Sequence, residues 1–152
     1  MNDAVLYYAK NGECTRKINY LVVHCSATKE NSNFDVDALR HLHVDINHWQ
    51  DIGYHFYITK DGVIHKCRPM KTVGAHVSGY NTFSIGVCYE GGLNREGTTK
   101  DTRTALQKQS LIDLLKVLIK RWPSAIIKGH RDFPKVKKAC PCFDAQKEYG
   151  EI

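Results

Sequence analysis

No stretch of this chain approaches the roughly 20 consecutive apolar residues of a membrane-crossing helix. Its opening residues, Met1-Asn2-Asp3-Ala4-Val5-Leu6-Tyr7-Tyr8, carry neither a basic leader nor a cleavage-site pattern. The chain is therefore expected to be cytoplasmic as synthesised, with no membrane insertion. No Cys-x-x-Cys pair occurs among the six cysteines at 14, 25, 67, 88, 140 and 142, which excludes a zinc ribbon and a thioredoxin-type site. Without a secretion signal these thiols are expected to be free or metal-bound rather than a disulfide framework. His-Glu-x-x-His is absent as well, so the usual carboxylate base of metalloproteases is missing. Repeats, low-complexity tracts and linkers are lacking, which leaves one compact domain. Basic residues are scattered apart from Lys135, Lys137 and Lys138. With no basic stripe and no stacking platform, nucleic acid is not an expected partner.

What is present describes a globular protein. At 152 residues, 42% hydrophobic and 25% charged, the chain can bury one substantial core. Its net charge of +6 favours an anionic partner without choosing which. Ile18-Asn19-Tyr20-Leu21-Val22-Val23-His24-Cys25 is apolar on both alternating faces except at Asn19, the pattern of a strand covered on two sides. Asp35 can cap a helix in which Val36, Leu39, Leu42, Ile46 and Trp49 recur at helical spacing. Residues 54–59 and 63–66 flank Lys60-Asp61-Gly62, and an Asp-Gly pair between two such runs predicts a hairpin. Residues 84–89 read as another strand, closed by Gly91-Gly92. Thr104 and Gln107 form a capping box ahead of a helix with Leu111, Leu114, Leu115, Leu118 and Ile119 on one stripe, and Pro123 stops it. Residues 125–128 make a short last strand leading to Gly129-His130. The predicted class is α/β (α+β), a single domain with a central mixed β-sheet flanked by helices.

Three residues can make a metal site. His24 ends the first strand, His130 follows the last, and Cys140 lies ten positions further on. Two imidazoles and a thiolate, with the fourth position left to water, are a catalytic zinc set. Spacing alone leaves blander readings open. A histidine closing a buried strand is more often a core residue than a ligand. Cys140, between Ala139 and Pro141, also fits a small buried hydrophobe, and Cys142 is near enough to replace it. His41, His43 and His48 fall in the first helix as solvent-facing or packing residues. His55 and His65 sit in the hairpin, where cross-strand packing accounts for them.

Five segments in order decide between these readings. His24-Cys25-Ser26-Ala27-Thr28, Gly53-Tyr54-His55-Phe56, Val73-Gly74-Ala75-His76, Ser84-Ile85-Gly86-Val87-Cys88 with Gly91-Gly92, and Gly129-His130-Arg131-Asp132 followed by Lys138-Ala139-Cys140-Pro141 run through the chain. Together they resemble the type-2 N-acetylmuramoyl-L-alanine amidases, the family that includes amidase-type phage lysozymes and peptidoglycan recognition proteins. The match runs from about residue 18 to 145, so residues 1–17 stand as an N-terminal extension of unclear role and 18–152 as the amidase domain.

The resemblance implies that His24, His130 and Cys140 bind Zn2+, that Tyr54 and Lys138 are catalytic, and that His76 and Asn81 line the substrate groove. It implies hydrolysis, by a zinc-activated water, of the amide joining the lactyl group of N-acetylmuramic acid to L-alanine in bacterial peptidoglycan. The wall would be reached after release from the cell. Cys142 departs from a family pattern similar to Cys-Pro-Ser and adds a second thiol near the metal. Recognition-only members typically lack the cysteine ligand, which this chain has. Some phage amidases of this type also bind an RNA polymerase, a contact that no residue here establishes. A monomer is the default expectation.

Overall fold

The computed structural model describes residues 1–152, and its elements follow the expected order closely. They are α1 (Asp3–Asn11), β1 (Tyr20–Cys25), β2 (Thr28–Lys29), α2 (Val36–Arg40), β3 (Phe56–Ile58), β4 (Ile64–Lys66), β5 (Ser84–Tyr89), β6 (Gly92–Leu93), α3 (Ala105–Arg121), β7 (Ile126–Gly129) and α4 (Ala145–Tyr149). Five strands form one mixed sheet in the order β4-β3-β5-β1-β7, and β2 pairs with β6 beside it. β1 runs parallel to both β5 and β7, and β3 is parallel to β5. Only β4 runs antiparallel, closing the hairpin whose Gly62 adopts φ +82° as the Asp-Gly pair predicts. No helix is long and apolar enough to cross a membrane.

Alternation along the strands divides the sheet into two chemically different faces. Leu21, Val23 and Cys25 of β1, Phe56 and Ile58 of β3, and Ile85, Val87 and Tyr89 of β5 point into the main core with Leu111, Leu114, Leu115 and Leu118 of α3. Each such leucine contributes about 1.5–3 kcal/mol by leaving water. The start of α3 is fixed by Thr104, which accepts the Gln107 N–H while Gln107 Oε1 accepts the Thr104 N–H. The Gln107 amide then donates to the carbonyls of Ile58 and Glu90, tying the helix to two strands. Ser84, Gly86 and Cys88 occupy the opposite face of β5, where small side chains leave room for a loop and its histidines.

The segment before residue 18 is woven into this frame. α1 packs on α3. The Asn2 amide donates to the Gly62 carbonyl and accepts from Ile64 N–H, so it clasps the hairpin turn. Arg16 donates to the carbonyls of Met70, Asn81, Thr82 and Ser84, anchoring both ends of the loop between β4 and β5.

The first helix departs from the expected pattern. Asp35 caps it as read, accepting the Ala38 N–H at 2.9 Å, and Leu39 is buried. From His41 to Ile46 the helix widens to a π-helical turn, with Asn47 N–H reaching back to the Leu42 carbonyl. That inserted residue rotates the stripe out of phase. Leu42, Ile46 and Trp49 are 37%, 57% and 38% exposed, and His43 turns inward instead. A reading at 3.6 residues per turn does not register an inserted residue, and such bulges are frequent at functional sites. The β2–β6 pair also escaped the sequence, because each strand is two residues long and its partner lies far along the chain.

Candidate metal centre and active-site cleft

His24 occupies the same face of β1 as Tyr20 and Val22, which pack against Val77 and Phe133. It stands at the end of that row, 1% exposed. Gly129 of β7 pairs with Val23, so His130 emerges one step later beside His24, their rings 4.7 Å apart. Cys140 returns on a loop held by the Arg131 N–H, which donates to the Cys140 carbonyl at 2.8 Å. Its Sγ accepts the Cys25 N–H at 3.2 Å and lies 3.9 Å from His24 Nδ1. The structure thus brings the three sequence-predicted ligands together, with one donor atom from each inside a 4.8 Å span.

This donor set fits a zinc ion. Zn–N and Zn–S bonds of about 2.0–2.3 Å put tetrahedral ligand atoms roughly 3.3–3.7 Å apart, a modest contraction of what is seen. The Cys25 backbone N–H donates to Cys140 Sγ, a contact that suits a sulfur ligand, and burial holds the imidazoles in the neutral, ligating form. His24 is lowered well below the usual imidazole value by burial first, then by His76, His130 and Lys138. His130 is lowered by burial and by Lys138. Cys142 faces elsewhere, its Sγ 3.3 Å from the Gly92 carbonyl and 3.9 Å from Cys25 Sγ.

A cleft of about 280 Å³ opens over these donors, and Tyr54, Lys138, His76, His43 and Trp49 are among the residues lining it. Tyr54, just ahead of β3, lays its ring 5.0 Å from that of His24. Burial, reinforced by the neighbouring Cys88 and Cys140 sulfurs, holds its hydroxyl well above the ordinary tyrosine value, so it is a proton-bearing donor at neutral pH. Lys138 is exposed at the rim, near enough for its charge to bear on both His24 and His130. His76 faces the cleft, whereas Asn81 is not among its lining residues. Asn81 Oδ1 accepts the N–H groups of His76 and Val77 and so shapes the loop from behind. His43 and Trp49 were not expected at the site. The π-helical turn brings them there, with His43 Nδ1 accepting the Gly53 N–H at 2.9 Å and its ring tilted against that of Trp49 at 4.5 Å.

Beneath the cleft, fully buried His55 accepts the Gly86 N–H at Nδ1 and donates from Nε2 to the Thr72 carbonyl. Protonation would set two donors against each other at Nδ1. Burial, with Arg16 and Arg68 nearby, lowers its pKa from 6.5 to about 4. The unfolded chain therefore takes up this proton first as pH falls. Stability is fully present above pH 6.5 and declines as pH drops from 6.5 towards 4, by on the order of 3 kcal/mol from this group. Urea unfolding of chelator-treated protein at pH 7 and pH 4.5 checks this. The pH difference is expected to shrink by most of that amount in His55→Gln, and an undiminished difference would clear His55 of the effect.

A family model described as N-acetylmuramoyl-L-alanine amidase matches residues 15–143. The endolysin of Enterobacteria phage K11 is 42% identical over 132 residues, covering 86% of this chain and 85% of that protein. The endolysin of Escherichia phage T7 is 40% identical over 127 residues, covering 84% and 82%. Among solved structures, the endolysin amidase LysCS from Clostridium intestinale URNW superposes with a TM-score of 0.72 at 31% identity, covering 88% of this chain and 80% of that one.

Proposed function

The chain belongs to the N-acetylmuramoyl-L-alanine amidase family, and from that premise we propose a zinc-dependent hydrolase in which His24, His130 and Cys140 hold the metal while Tyr54 and Lys138 act on the substrate amide. The enzyme is a hydrolytic amidase of bacterial peptidoglycan, cutting between the lactyl group of N-acetylmuramic acid and L-alanine. The observation that carries the metal assignment is the convergence of two imidazole nitrogens and one thiol within 4.8 Å at the floor of a cleft. A recognition module without the cysteine ligand would lack the anionic member of that set, and Cys140 argues against it.

Zinc, when bound, supplies Lewis acidity that polarises the carbonyl and makes water a competent nucleophile near neutral pH. The chain's own residues do the rest. Lys138 brings its ammonium group to the rim, where carbonyl oxygen gains negative charge. The Tyr54 hydroxyl donates a hydrogen bond to that same oxygen, from a site dry enough to strengthen it. Trp49 and His43 wall the cleft on the side of the π-helical turn and exclude water from the reacting amide.

Purified peptidoglycan, incubated with the protein with and without a zinc chelator, tests the reading. Peptides with a new N-terminal alanine should appear, vanish on chelation and return when zinc is restored. Release that persists undiminished after the metal is stripped would remove zinc from the mechanism.

A further inference from the structure

We propose that His76 is a positioning residue for His24, fixing which nitrogen of that ligand carries the proton and how its ring lies. This rests on the metal reading above and deepens it. His24 turns Nδ1 towards Cys140 Sγ, at 3.9 Å, and Nε2 towards His76 Nδ1, at 2.8 Å. A ligating nitrogen carries no proton, so the proton of neutral His24 resides on Nε2 and is donated to His76 Nδ1. His76 then bears its own proton on Nε2, which faces the Oγ of buried Ser84 at 3.2 Å. The relay therefore has one consistent set of donors and acceptors from Ser84 to the metal side of His24. Both His76 nitrogens are engaged, so the residue meets substrate with carbon edges rather than with a free hydrogen-bonding group.

The seat for this ring is built by several parts of the chain. Gly86 sits in the middle of the buried strand β5, where glycine weakens a strand unless another group must come close. A Cβ there would lie 2.8 Å from His76 Cγ and Cδ2 and 2.9 Å from Cε1. Asn81 Oδ1 takes the backbone N–H of His76 at 2.9 Å and that of Val77 at 2.8 Å, so the residue's main chain is held as well. His55 meets the ring edge to face at 5.9 Å. Partners of metal-bound histidines are commonly carboxylates or carbonyls. A neutral imidazole orients the ligand here without adding negative charge beside the thiolate.

Zinc affinity, measured by competition with a chromophoric chelator, is the test. His76→Leu fills the seat without an acceptor and should bind zinc about 10–100-fold more weakly. His76→Asn offers an amide oxygen in place of Nδ1 and should recover most of that loss. Gly86→Ala, which displaces the ring while leaving His76 in the chain, should weaken zinc in the same direction. A protected His24 Nε2–H signal in the nuclear magnetic resonance spectrum of the zinc form should be lost in His76→Leu. Affinity in His76→Leu within twofold of the parent overturns the proposal. Equal losses in the Leu and Asn variants also overturn it, because a hydrogen-bond acceptor at that position would then make no difference. A parent protein that takes up no zinc would instead sink the metal reading itself.

Discussion

Cys140→Ala is expected to lose its zinc and its amidase turnover together. The thiolate is the one anionic ligand in the set, and removing it leaves two neutral imidazoles to hold a dication. Structural zinc sites bind with about 10–16 kcal/mol over four ligands, so one ligand is worth roughly 3 kcal/mol, or about 100-fold in affinity. The loss of compensating charge adds to that. Cys142 gives no rescue, because its thiol is turned to the Gly92 carbonyl and to Cys25. The paired control is Cys142→Ala, which should keep full zinc occupancy. Metal content by plasma mass spectrometry, beside circular dichroism to establish folding, reads both. Stoichiometric zinc in folded Cys140→Ala would reject this ligand assignment, and loss of zinc in Cys142→Ala alone would transfer it to the second thiol.

The contrast between these two cysteines shows where the sequence is legible. The apolar runs of β1 and β5, the Asp-Gly turn before β4 and the capping box of α3 are local signals, and each element forms within two residues of where its signal predicts. The site is a different matter. His24 and His130 are adjacent only because β7 adds beside β1, a pairing between segments about a hundred residues apart. Cys140 and Cys142 are equivalent in an extended reading, yet the chain turns between them at a positive φ of 67° for Cys142, which sends the two thiols in different directions. Motif order supplied what spacing alone did not. It did not reveal His43 and Trp49, whose place at the cleft depends on one extra residue in a helical turn. Asn81 was expected in the groove, and its carbonyl oxygen instead holds the loop backbone behind His76.

Tyr54→Phe should give a folded, zinc-loaded protein whose turnover falls by about 10²–10³-fold, the usual cost of deleting one donor to a developing oxyanion. The substitution removes a single oxygen and keeps the ring that packs against His24 and His43. Metal affinity and thermal stability should therefore change little. The hydroxyl is held protonated by burial and by the adjacent sulfurs, so it acts as a donor rather than a base, and the loss should fall on kcat more than on KM. Removing a uniform substrate contact would instead raise KM and leave kcat alone. Turnover within twofold of the parent would take the Tyr54 hydroxyl out of the mechanism and leave Lys138 as the only side chain proposed to meet the oxyanion.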